Sequence, residues 1–215
     1  MAIMRLGLLS FFKNSNDKRK PEYYLKLGIK KPVKKKSKRP ITENQMAQRL
    51  KFALAIKFVT SIRSVTAIGF RSVKKYEMSP TNVAAQAVLK ESIVGEYPNF
   101  KIDFEKVRIS SGPLSISYGF SCSFMEVHLV EICWDNLEGW KYDRSFSDHF
   151  IHILLYDDKG EQSIIELEAG RRGDCKLQIS LPRYFEGASL HCWAFFSTEN
   201  HKIVSQSIYL GELIP

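Results

Sequence analysis

The side chains with chemical potential are four cysteines, five histidines and a dense run of lysines. The cysteines stand at 122, 133, 175 and 192, and none forms a C-x-x-C pair. With no credible signal peptide ahead of them, reduced core thiols are expected, and Cys192 beside Trp193 reads as packing. The histidines are His128, His149, His152, His191 and His201. His149 and His152 are three apart, so on a strand they face opposite ways and cannot share a metal ion. A Cys-His nucleophile can be assembled on paper, yet no spacing marks one. The G-x-x-x-x-G-K-[ST], G-x-G-x-x-G and G-x-S-x-G patterns are all missing. No catalytic residue, metal ligand or cofactor is assigned, and a non-enzyme is the expectation. Arg171-Arg172, flanked by Gly170 and Gly173, could contact an anion, but an exposed loop tip is the plainer reading.

The lysines are the sharper signal. Lys30, Lys31, Lys34, Lys35, Lys36, Lys38 and Arg39 are interrupted by Pro32, Val33, Ser37 and Pro40. Proline and like charge keep such a stretch extended and solvated. Each lysine that neutralises a phosphate releases counterions, so binding would be strongly salt-dependent. No zinc-finger spacing or leucine zipper accompanies the run, which allows backbone contact without sequence choice. The plainer alternative is a linker that binds nothing in particular. Charge is segregated along the whole chain. Residues 1–40 carry 13 Lys/Arg against 2 Asp/Glu, a net of +11. Residues 41–79 carry 7 against 2, a net of +5, and residues 80–215 carry 12 against 19, a net of −7. A basic arm on an acidic body seeks an anionic partner: nucleic acid, a membrane surface, an acidic protein face or the body of a sister subunit.

Three regions must position these groups. Residues 1–40 read as a basic, extended arm holding two apolar islands, MAIMRLGLLSFF and YYLKLGI. The first island is too short for a secretory signal and lacks a small-x-small cleavage site, and Ala2 excludes myristoylation. Residues 41–98 read as a helical hairpin. Thr42 and Gln45 form a capping-box pattern, and Met46, Leu50, Ala53, Leu54, Phe58, Ile62 and Val65 mark one face of a helix running to about Gly69. Its other face is basic, through Gln48, Arg49, Lys51, Lys57 and Arg63, and reads either as solvated surface or as an extension of the arm's binding face. Ser79-Pro80 opens a second helix that Gly95 stops. Residues 99–215 read as β structure, with strands expected at 102–110, 114–120, 124–133, 149–156, 162–168, 175–181, 189–197 and 202–210. Both faces of 149–156 are apolar, which marks a central strand, while Leu177, Ile179 and Leu181 alternate with polar neighbours. Short strands at this spacing predict an α+β chain ending in an antiparallel β-sandwich, immunoglobulin/fibronectin-like or a small jelly roll.

At 215 residues and 24.7 kDa, with 44% hydrophobic residues and no run of 18 apolar ones, the chain is neither a membrane channel, a collagen-like fibre nor a small disulfide-stapled scaffold. Three stretches carry a resemblance. They are KKKSKRPITENQMAQRLKFALAIKF at 34–58, AIGFRSVKKYEMSPTNVAAQAVLKESIVGEYPNFKIDFEKVRISSGPL from Ala67, and the closing Ser205, Ser207, Tyr209, Leu210 and Gly211. Together they resemble a family of uncharacterised proteins common in the Bacteroidota, over residues 34–215. The resemblance implies the same helical-then-sandwich organisation and brings no catalytic residue. Where family members begin with a glycine-rich segment containing Ser-Gly-Lys, this chain has MRLGLLSFF and its lysine-rich arm. The expectation is a structural or assembly protein of coat- or virion-like kind, cytoplasmic or in a virion. It would form homo-oligomers or join other structural subunits, and touch nucleic acid through Lys30, Lys31, Lys34, Lys35, Lys36, Lys38 and Arg39. The alternatives are an accessory protein of a ribonucleoprotein, or an enzyme whose site carries no motif.

Overall fold

The computed structural model describes residues 40–73, 78–136 and 147–214. The chain divides into two units, Met1–Ile41 and Thr42–Pro215. Among its described residues, the second is an α+β fold of three helices followed by antiparallel sheets.

Helix α1 spans Glu43–Ser61 and starts where the capping pattern requires. The Gln45 amide donates to Thr42 Oγ1 at 3.4 Å, and Gln45 Oε1 accepts from the Thr42 amide at 3.3 Å. The expected single helix to Gly69 is instead two. The chain breaks at Ile62 and turns 87° into α2, Arg63–Gly69. The turn swings Val65 and Thr66 into the core, which one straight apolar stripe could not do while Phe58 and Val59 stay buried. Met46 and Leu50, expected on the apolar face, are exposed on the first turns of α1, and so is Phe52. Helix α3, Pro80–Glu91, begins with Ser79 Oγ accepting from the Asn82 amide at 3.2 Å. It leads into a two-stranded ribbon of β1 (Ile93–Val94) and β2 (Lys101–Ile102). Gly95, at φ +95°, makes the reversal possible, because a Cβ there would meet the Asn99 carbonyl oxygen at 2.5 Å.

Among the described residues, the body holds seven strands: β3 (Tyr118–Glu126), β4 (Leu129–Asp135), β5 (Phe150–Asp157), β6 (Gln162–Arg171), β7 (Lys176–Ser180), β8 (Leu190–Ser197) and β9 (Ile208–Leu213). One sheet has the order β3-β4-β7, and the other β6-β5-β8-β9. First, second and fifth strands against fourth, third, sixth and seventh is the fibronectin-like variant of the immunoglobulin sandwich, not a jelly roll. Several strand boundaries differ from expectation, among them the last, expected at 202–210 and found at Ile208–Leu213. The stretch expected as a strand at 102–110 becomes a 3-10 turn at Phe104–Lys106, followed by irregular chain that buries Val107 and Ile109. The first hairpin turns at Val127-His128, between β3 and β4, and not near residue 122.

The four-stranded sheet is covered on both sides, which is why its strands read as continuous apolar runs. Ile151, Ile153, Leu155, Cys192, Ala194 and Phe196 point into the sandwich, against Val130, Ile132, Trp134 and Ile179 of the facing sheet. Leu154, Tyr156, Trp193 and Phe195 point the other way, into the helices, against Phe58, Val59, Ile62, Val65, Val83 and Val88. The layers are therefore three: sheet, sheet and helices. Phe58 meets Tyr156 edge-on with ring centroids 5.0 Å apart, and Phe104 closes the same cluster.

Candidate functional site

Lys30, Lys31, Lys34, Lys35, Lys36, Lys38 and Arg39, the residues expected to contact nucleic acid, lie outside the described residues. Lys74 and Lys75 of the link between α2 and α3 do as well. What the described residues bring together is a polar ring at one end of the four-stranded sheet.

Its members come from three strands and a loop. His152 is near the start of β5, Ser197 ends β8, His201 is in the loop after β8, and Glu168 is in β6. Between the pairs Ile151↔Gly170 and Ile153↔Glu166, residues 167–169 bulge opposite His152 alone. The bulge holds Glu168 at φ +53°, and its amide leaves the strand ladder to point at the imidazole. His152 Nδ1 accepts that amide at 3.2 Å. A backbone N–H only donates, so the proton of neutral His152 sits on Nε2. Nε2–H then donates to Ser197 Oγ at 2.8 Å, and the hydroxyl donates to His201 Nδ1 at 2.9 Å. His201 carries its proton on Nε2, which donates to Glu168 Oε1 at 2.9 Å. The chain of donors closes on the residue where it started. Burial, helped by the neighbouring His201, lowers the His152 pKa to about 3, in keeping with a neutral ring. His152 also stacks on Phe195, ring centroids 4.7 Å apart.

Hydroxyl, imidazole and carboxylate in this order are the parts of an activated serine nucleophile. Two features set Ser197 apart from that role. It is fully buried, and its oxygen already accepts from His152. Solvent reaches the ring only at His201 and Glu168. The ring therefore acts as a clamp that fixes the 198–203 loop to β5 and β6.

Arg172 corrects a sequence reading. The Arg171-Arg172 pair is not a loop tip: Arg172 is fully buried, and only Arg171 reaches solvent. The Arg172 guanidinium lies 3.9 Å from the centre of the Phe196 ring, donates to the Ser115 carbonyl, and stands 3.3 Å from His149 Nδ1. Its own carbonyl accepts from Trp134 Nε1 at 2.8 Å. Burial lowers its pKa to about 10, which leaves it charged at neutral pH. Arg171 lies over the Phe150 ring and pairs with Glu199 at 3.4 Å. At the opposite end of β8, His191 Nδ1 lies 2.8 Å from the Tyr209 hydroxyl and stacks on Phe104. Burial lowers the His191 pKa and raises that of Tyr209 to about 12.

Sequence reasoning listed His152 and His201 as isolated histidines and did not single out Ser197 or Glu168. A histidine and a serine breaking the apolar runs of β5 and β8 were the available signal. The bulge that turns Glu168 inward has none. Among the described residues, no three His, Cys, Asp or Glu side chains stand where they would hold a metal ion. Among the same residues, no single helix is long and apolar enough to cross a membrane.

No curated protein matches the chain. Residues 25–211 match a family of unknown function, DUF6266. That span holds the three described helices and, but for the last two residues of β9, the seven described strands of the sandwich, and the chain belongs to this family.

Proposed function

We propose that the protein is a non-enzymatic structural or assembly protein, a coat- or virion-like subunit. Its basic segment, Lys30 to Arg39, contacts nucleic acid or the acidic body of a neighbouring subunit. The observation that carries the reading is the charge segregation: +11 over residues 1–40 against −7 over residues 80–215. The described polar residues support it, since the hydroxyl of the Ser197–His201–Glu168 chain is sealed inside the body. A three-layer body preceded in sequence by a cationic segment suits contacts between large partners better than turnover of a small one.

The nucleic-acid arm of this reading is tested by binding a labelled single-stranded oligonucleotide across a salt series. The protein binds with a dissociation constant that rises steeply with salt. Replacing Lys34, Lys35, Lys36, Lys38 and Arg39 by Gln flattens the log–log slope by about four. Unchanged binding in that variant would remove the segment from the contact. Binding by a strict monomer would favour a ribonucleoprotein accessory over an assembly subunit.

A further inference from the structure

Cys122 is on β3, the edge strand of the three-stranded sheet, and Cys192 is on β8, inside the four-stranded one. Their Sγ atoms lie 3.6 Å apart across the sandwich. Cys192 is completely buried, while Cys122 keeps part of its surface. We propose that Cys122 and Cys192 are a disulfide-forming pair that staples the β3 edge to the opposite sheet when the protein meets a small-molecule disulfide. The two thiols are already in van der Waals contact, and a bond needs them to close to about 2.05 Å. The backbone on both sides can supply that movement. The β3–β4 register slips between Tyr118 and Ser121 and again between Phe124 and Glu126, so Cys122 rides on a short paired stretch. The β8–β9 register slips between Cys192 and Trp193. Gly211, the β9 partner of Cys192, leaves open space where a Cβ would stand.

The exposures assign an order to the chemistry. The Cys122 thiolate attacks one sulfur of the external disulfide, forming a mixed disulfide and releasing one thiol. The Cys192 thiolate then attacks Cys122 Sγ and releases the second thiol. The protein pair loses two electrons, the reagent disulfide gains them, and the two thiol protons leave on the released thiols. Burial first, and then Cys122 beside it, holds the Cys192 thiol pKa well above its ordinary value, so the first attack falls to Cys122, which keeps part of its surface in solvent. The other two cysteines have separate partners. Cys133 Sγ lies 3.8 Å from a Glu131 carboxylate oxygen, and Cys175 Sγ lies 3.9 Å from the Arg172 carbonyl oxygen.

The test is to incubate the folded full-length protein in glutathione disulfide, alkylate the remaining thiols, and map peptides without reduction. Half of the four thiols disappear, the mass falls by about 2 Da as two hydrogens leave, and one cross-linked peptide pair joins Cys122 to Cys192. In Cys133→Ser/Cys175→Ser, which leaves the pair untouched, every free thiol disappears. Cys122→Ser abolishes the cross-link. Four thiols still free, glutathione held stably on Cys122, or a cross-link through Cys133 or Cys175 would each overturn the assignment.

Discussion

At the residue scale, the polar ring is where the body stores its pH dependence. The folded state keeps His152 unprotonated down to about pH 3, because burial penalises the charged ring. In the unfolded chain an imidazole takes up a proton at about pH 6.5. Between those values the unfolded state binds more protons, so stability rises with pH and is lost on acidification from about 6.5 toward 3. Glu168 and His201 face the same ring, so the comparison must isolate His152. Between pH 7 and pH 5, urea unfolding should show the wild type losing about 2 kcal/mol more than His152→Gln. Parallel losses in the two proteins would contradict the assignment of the ring as neutral. Ser197→Ala leaves the Nε2–H of His152 and Nδ1 of His201 without their shared hydroxyl, and should cost about 1–3 kcal/mol. Little of this was legible beforehand. Periodicity reports which face a strand residue takes, and His149 lies just ahead of β5, outside the strand on which that reading depends. Periodicity does not report that three strands and a loop converge. The reversal of Arg172 from loop tip to buried cation has a similar cause. Glycines on either side advertise a turn, but the cation is drawn inward by the Phe196 ring and the Ser115 carbonyl, both far away in sequence.

At the scale of elements, local signals gave the helix starts and tertiary packing gave the breaks, and the helix expected to stop at Gly95 ends already at Glu91. The caps at Thr42 and Ser79 form as their spacing requires. The bend at Ile62 is invisible in the 3.6-residue stripe, because the stripe continues through it with Val65 still in phase. Packing decides the outcome: Phe58 reaches Tyr156 on the sheet, and α2 must turn to deliver Val65 to the same core. The stretch 102–110 reads as a strand but folds otherwise, because apolar Ile102, Phe104, Val107 and Ile109 suit a chain draped over a core as well as a ladder. The three-layer arrangement predicts which helix positions matter. Phe58→Ala opens a cavity between helices and sheet and should cost about 3–4 kcal/mol in chemical unfolding. Leu50→Ser, on the exposed first turns of the same helix, should change stability by no more than about 0.5 kcal/mol. Equal costs at the two positions would mean that the exposed turns of α1 are covered in solution.

At the scale of the whole molecule, two features set behaviour: a three-layer body and an excess of cation ahead of it in the sequence. The α+β class and the sandwich were legible because both depend on patterns that repeat over many residues. The strand order was not, since pairing is long-range. The candidate interface was legible only as composition. Forming the Cys122–Cys192 bond would close a loop of 70 residues and should stabilise the body by about 4 kcal/mol through the restricted unfolded chain. A higher urea midpoint for the glutathione-oxidised wild type, absent in Cys122→Ser, checks this. The assembly reading rests on charge segregation, and a single measurement meets it head on. Size-exclusion chromatography with light scattering, recording absorbance at 260 and 280 nm, reports mass and nucleic-acid content together. The account predicts a discrete species far larger than 24.7 kDa, carrying nucleic acid or taking it up when offered, and dissociating as salt is raised. A monomer of 24.7 kDa that stays monomeric and takes up no nucleic acid at low salt would contradict it.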